Sequence, residues 1–241
     1  MDFLTSPAFW VALGQIIIID ILLGGDNAVV IALACRKLAP AQRTKGIIWG
    51  TAGAIVLRVI LIAFAMTLLN VPFLKLIGAI LLVWIGVKLL APDEEGHGDV
   101  AGSDKLFAAI KTIIVADLVM SVDNVIAIAG AAQNAGEHSM LLVVLGLLIS
   151  IPIIVWGSQL VIKLMERYPL IITAGGMLLG WIAGGMLVTD PALANPDKWQ
   201  WMFKLPQTDV VKYGASVAGA LLVLVIGKAI AGRKPAEGGH A

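Results

Sequence analysis

The chain gathers its apolar residues into blocks long enough to cross a bilayer, and that feature removes most folds open to a protein of 241 residues. A spanning helix needs about 20 apolar residues. Seven stretches qualify, roughly Phe9–Ala34, Ile47–Leu69, Phe73–Leu90, Leu106–Gln133, Leu141–Leu164, Leu170–Val188 and Val210–Ala231. Inside lipid the backbone has no water to bond with, so only helices and closed barrels cross. None of the stretches alternates with period two, which argues against a barrel. The expected fold class is an all-α polytopic membrane protein. Composition agrees: 14% of residues are charged, 59% are hydrophobic and mean hydropathy is +0.96, against about 25% charged in soluble domains. A net charge of +1 suggests no nucleic-acid partner, leaving the lipid bilayer as the partner implied. Cys35 is the only cysteine, so neither a disulfide framework nor a thiolate metal cluster is expected. The start, MDFLTSPAFW, lacks a basic region and a small-residue cleavage site, so the first block is expected to remain as a span. Association with further copies is left open.

Basic residues near helix ends set orientation. Arg36, Lys37, Arg43 and Lys45 share one side with Lys88, Lys105, Lys111, Lys163, Arg167, Lys228, Arg233 and Lys234; the other side has Lys75, Lys198, Lys204 and Lys212. The richer side is expected in the cytoplasm, with the N-terminus outside and the C-terminus inside. For a bacterial chain this is a multi-pass protein of the inner (cytoplasmic) membrane. His97 lies in an acidic, glycine-containing stretch that reads as a solvated linker.

Two of the spans carry nearly the same message. IIIIDILLGGDNAVVIALA aligns with IIVADLVMSVDNVIAIAGA, so Asp20 matches Asp117, Asp26 matches Asp123 and Asn27 matches Asn124, an offset of 117 − 20 = 97. The same offset relates Pro72 to Pro169, Gly78 to Gly175 and Trp84 to Trp181. A repeat of three spans enters the membrane from the opposite side the second time. Seven transmembrane helices as two inverted three-helix repeats plus a C-terminal helix is the plan of many secondary transporters, whose sites lie near the midplane. The chain divides accordingly into repeat 1 (1–91), a cytoplasmic linker (92–104), repeat 2 (105–189), an external loop (190–209), and helix 7 with a cytoplasmic tail (210–241).

Each aspartate within a span costs about 2.5–3.5 kcal/mol on insertion scales. Asp20, Asp26, Asp117 and Asp123 therefore need partners, and Arg58 is the one basic residue deep in a span; its repeat counterpart is Val155. One arginine does not neutralise four carboxylates, which points to a cation or proton site, with Arg58 as an internal counter-ion when the cation leaves. Along an unbroken helix at about 1.5 Å and 100° per residue, Asp20 and Asp26 point different ways. Gly24-Gly25 supplies a break in the first helix, whereas Ser121-Val122 leaves its copy more regular. Inversion with equal depths pairs Asp20 with Asp123 and Asp26 with Asp117. Carboxylates with an Asn carbonyl make a hard oxygen site suited to Mg²⁺, Ca²⁺ or Mn²⁺; a thioether from Met120 would shift preference away from Mg²⁺ and Ca²⁺. Close carboxylates share protons that an arriving cation would release, so proton exchange is the expected coupling.

DILLGGDNAVVIALACRKL and DLVMSVDNVIAIAGAA resemble the paired motifs of TerC-type integral membrane proteins, most like the YjbE-like branch of short bacterial members. The resemblance covers all seven spans and extends to the lysine-exporter-type superfamily, which includes manganese exporters. It implies a secondary transporter exporting a divalent cation, Mn²⁺ above all, with no resident cofactor and no enzymatic activity. It also implies Asp20, Asp26, Asn27, Asp117, Asp123 and Asn124 as metal-path residues, with Gly24, Gly25, Arg58, Met120 and Ser121 in support.

Two rivals make different predictions. An intramembrane aspartyl protease would need one Asp on each of two helices and a G-x-G-D motif; here Leu23 stands at the first glycine's place. A scaffold or assembly factor in a metal- or tellurite-resistance complex needs no buried carboxylates, so Asp→Asn changes would leave it intact.

Overall fold

The computed structural model describes residues 7–64, 71–91, 102–133, 139–194 and 205–232. Among these there is no strand. The helices are α1 (Pro7–Leu23), α2 (Gly25–Cys35), α3 (Pro40–Ala63), α4 (Leu74–Leu90), α5 (Gly102–Gln133), α6 (Ser139–Arg167), α7 (Leu170–Val188), α8 (Pro191–Ala194) and α9 (Asp209–Gly232). Four described segments are long and apolar enough to cross a membrane: α3, Met140–Arg167 of α6, α7 and α9. Together α1 and α2 are apolar enough for a fifth crossing, but they are bent by 48° at the break between them, the shape of a broken span or of a re-entrant loop. Most of the linker (92–101) and half of the external loop (195–204) fall outside the described residues, His97, Trp199 and Trp201 with them.

Local chemistry fixes the helix ends. Pro40 opens α3 at a first-turn position, where its missing N–H costs nothing. Thr208 caps α9, its hydroxyl accepting the Val211 N–H at 3.4 Å, and Asp209 follows in the first turn, where helix dipole and carboxylate attract. The bend falls at Gly24, with φ −98° and ψ 1°. A Cβ there would run into the Asp20 carbonyl, so the turn needs glycine. By contrast a Cβ on Gly25 would meet nothing. The expected break in the first span is thus present, and α5 runs on without one through the copied motif.

The described helices form two compact units, and each draws on both halves of the chain. The first holds α1, α2, α3, α5 and α6. Here α3 lies chiefly on α5, while α1 and α2 lie on α6; exchanging each helix for its repeat copy leaves that pattern unchanged. Gly50 and Gly53 let α3 approach Ile113 and Ile114 of α5, and Gly146 lets α6 approach Ile16 of α1. The apolar core includes Leu13, Ile16, Ile62, Ile128, Leu142 and Leu147. Arg43 closes the turn between α2 and α3, donating to the carbonyls of Leu38 and Arg36 at 2.9 Å each and pairing with Glu166 at the end of α6.

The second unit holds α4, α7, α8 and α9. In it α7 and α9 touch backbone to backbone: side chains on Gly180 or Gly184 would strike the carbonyls of Gly219 and Ala215. Small residues permit the same close packing in membrane helices generally. Asp190, fully buried, clasps two helix starts. Its carboxylate accepts the N–H groups of Phe73 and Leu76 at 3.0 Å and of Ala192 at 2.8 Å. Phe73 precedes α4 with φ 66°, a left-handed conformation that a side chain tolerates only with such support. Large apolar side chains point outward over both units, including Leu22, Trp49, Ile77, Trp84 and Val210, as on a surface that faces lipid.

Candidate functional site

The deepest polar cluster is built around Arg58, which α3 carries into the core of the first unit at 3% exposure. The three kinds of nitrogen in its guanidinium each have a different partner. Nε donates to Ser121 Oγ at 3.0 Å, Nη1 to the Asp20 carboxylate and Nη2 to the Asp117 carboxylate. Ser121 in turn donates to the other oxygen of Asp117 at 3.0 Å, and Ser150 donates to the other oxygen of Asp20. Arginine suits this position because its planar fork reaches several acceptors at once and never gives up its charge. The cluster takes residues from α1, α3, α5 and α6, and all five are buried.

Asp20 and Asp117 are the repeat-equivalent pair. Asp117 shares its guanidinium with Asp20, and Asp26, the partner expected for Asp117 from equal depth, lies within electrostatic reach of both Arg58 and Asp117. Asp26 is half-buried in the first turn of α2, where its Oδ1 accepts the Asn27 N–H at 2.8 Å; a carboxylate at a helix start also complements the dipole. Asn124 reaches across from α5 to the break, its Nδ2 3.5 Å from the carbonyl of Leu23, the last residue of α1. The Asp123 side chain lies outside the described residues. Met120 is buried beside Ser121. Among the described residues, no three His, Cys, Asp or Glu side chains converge on one point.

Beside the cluster is a small cavity, with about 20 Å³ open to the centre of a water molecule. That is room for a water or a bare cation. Its polar wall is Asn27, Thr51, Arg58 and Asp117, and the rest is aliphatic. Both polar atoms of the Asn27 amide and the Thr51 hydroxyl are buried without a hydrogen-bond partner among the described residues. Thr51 and Ser150 escape a reading of the sequence, because a lone hydroxyl in a span usually bonds the carbonyl four residues back. Ser158 does that, donating to Ile154 at 2.7 Å.

The sequence profile of the integral membrane protein TerC family matches residues 5–235. The chain belongs to the TerC family. Among curated relatives, the uncharacterized membrane protein YjbE of Bacillus subtilis (strain 168) is 46% identical over 186 residues, covering 77% of this chain and 83% of the relative. YceF of the same organism, also named an uncharacterized membrane protein, is 28% identical over 191 residues, 76% of this chain and 72% of the relative. The UPF0053 inner membrane protein YgdQ of Escherichia coli (strain K12) is 27% identical over 183 residues, 69% of this chain and 75% of the relative. No solved structure matches. In this TerC family protein the motif Asp20 and Asp117 thus meet at one arginine, and the motif Asn27 opens onto a cavity beside them.

Proposed function

We propose that the protein is a secondary transporter that exports a divalent metal cation, Mn²⁺ before others, through the buried Asp/Asn site. The observation that carries this reading is the charge balance at Arg58. Two buried carboxylates face one guanidinium, so the ionised cluster carries an excess negative charge in a medium where charge is costly. A cation is the natural complement. Carboxylate, amide and hydroxyl oxygens are hard ligands, the kind that suit Mg²⁺, Ca²⁺ and Mn²⁺; preference for Mn²⁺ and the outward direction come from the family resemblance.

Arg58 then serves as the resident counter-ion. Without cargo it holds Asp20 and Asp117 together and keeps both hydrogen-bonded. A divalent cation offers the carboxylates a stronger charge, and the guanidinium gives way to it. Asp26, Asp123 and Asn124 belong to the path on either side of this centre. The transport plan is seven spans in two inverted three-helix repeats plus a last helix, with the N-terminus outside. Release of protons on cation binding would couple the flux to a pH gradient. The cation is cargo, the protein holds no cofactor for it, and no bond of a substrate is made or broken.

Uptake of Mn²⁺ into everted membrane vesicles tests the reading. Vesicles that contain the protein are expected to accumulate the ion above protein-free vesicles, and Asp26→Asn and Asp123→Asn to lower the uptake. Equal uptake with and without the protein would overturn it. Uptake indifferent to an imposed pH gradient would remove proton exchange alone.

A further inference from the structure

We infer that Asn27, Thr51 and Asp117 form a loading station where a divalent cation first binds, in the cavity beside Arg58; this rests on the transport reading above. Thr51 decides the matter. It is 2% exposed and Asn27 is 5% exposed, yet among the described residues neither side chain has a hydrogen-bond partner. Buried polar groups are almost always paired, because losing water without a replacement costs free energy. A threonine in a helix has an easy remedy, the carbonyl one turn back, and Thr51 does not take it. Its hydroxyl is left available in a cavity that it shares with the Asn27 amide and the Asp117 carboxylate.

The ligand class follows from the donors. Arg58, the positive group in the cavity wall, has three of its five N–H groups committed to Ser121, Asp20 and Asp117, and the two carboxylates outweigh its single charge. The Asn27 and Thr51 side-chain oxygens beside a net negative cluster suit a hard cation, and the cluster's charge repels an anion. Each carboxylate oxygen keeps a lone pair beyond the one used in a hydrogen bond, so Asp117 can accept a cation before Arg58 leaves it. Asp117 is therefore the shared group through which cargo passes from the station to the centre.

The station is one-sided. The positions 97 residues after Thr51 and Arg58 are Leu148 and Val155, neither of which can ligate. Asn124, the copy of Asn27, instead reaches the Leu23 carbonyl. Thr51 also precedes Arg58 by two helical turns on the same face of α3. In the orientation proposed above, that puts the station on the cytoplasmic flank, where an exporter collects its cargo. The repeat alone gives the core no direction; Thr51 supplies one.

The test compares wild type, Thr51→Val and Thr51→Ser as purified protein and in liposomes, with MnCl₂ as the probe. Bound Mn²⁺ is read by electron paramagnetic resonance and initial flux against Mn²⁺ concentration. Thr51→Val keeps the shape and removes the oxygen. It is expected to weaken Mn²⁺ binding and raise the half-saturating concentration about tenfold, with the maximal rate largely kept, while Thr51→Ser restores both. Losing a buried unpaired hydroxyl should also leave the metal-free melting temperature the same or higher, which separates a lost ligand from a damaged fold. Wild-type flux with binding and half-saturation unchanged in Thr51→Val would overturn the station and leave transport standing. Binding that depends on Thr51 without any wild-type flux would overturn transport, and with it the loading role, and leave a cation-binding site at Thr51. Absence of both would overturn the two together.

Discussion

Asp20 and Asp117, equivalent positions of the two repeats, share the guanidinium of Arg58. Positions matched in the sequence at an offset of 97 are thus brought to one side chain in the fold.

Arg58 should be the most sensitive residue of the first unit. Replacing it with methionine leaves Asp20 and Asp117 buried without a counter-charge, a loss of about 3–5 kcal/mol for broken buried pairs. Lysine offers a point charge and no fork, so it can serve one carboxylate well but not both with Ser121. Thermal unfolding in detergent is expected to rank wild type above Arg58→Lys and Arg58→Met last. Adding Asp20→Asn to Arg58→Met should recover part of the loss, since one unpaired charge goes with it.

The two glycines at the bend should behave differently. Gly24→Ala drives a methyl into the Asp20 carbonyl and is expected to cost about 1–3 kcal/mol, as overpacking does. Gly25→Ala finds open space and should change stability by less than about 1 kcal/mol, in the favourable direction that alanine has over glycine in a helix. Melting temperatures of the two variants, measured side by side, check this.

In the second unit, Asp190→Ala strips three backbone N–H groups of their acceptor and leaves Phe73 unsupported at positive φ. A loss of about 2–4 kcal/mol is expected, from an unsatisfied buried donor of about 1–3 kcal/mol together with the lost helix cap. Asp190→Asn keeps one acceptor oxygen and should lose less. Protease resistance of the Phe73 region reports the difference.

Helix contact between α7 and α9 gives a further contrast. Gly184→Leu puts a side chain where the Ala215 carbonyl runs, whereas Gly214→Leu meets nothing. The first should abolish a stable, monodisperse preparation in size-exclusion chromatography and the second should leave it intact.

The helical class, the repeat and the bend could all be read from the residues, because each is local: block length, matched motifs, and two adjacent glycines. Arg58 also stood out, as a lone cation in a span. Its choice of partners could not be read, since Asp20, Asp26 and Asp117 all lie within reach of depth reasoning and only packing selects among them. Ser150 and Thr51 look alike in sequence, yet one hydroxyl bonds a carboxylate and the other bonds nothing among the described residues. Asp190 opens the stretch expected as an external loop, although the fold buries it wholly. These three depend on contacts between residues far apart in the chain, where composition and periodicity carry no signal.

The most direct test is Mn²⁺ flux into liposomes that hold the purified protein, wild type against Asp20→Asn and Asp117→Asn, each first checked for a single size-exclusion peak. Wild type is expected to carry Mn²⁺ at a saturable rate well above empty liposomes, and each variant to fall at least tenfold because the cation loses a charged ligand at the centre. Flux through the variants equal to wild type, or no flux through any of them, would contradict a cation path through Asp20 and Asp117.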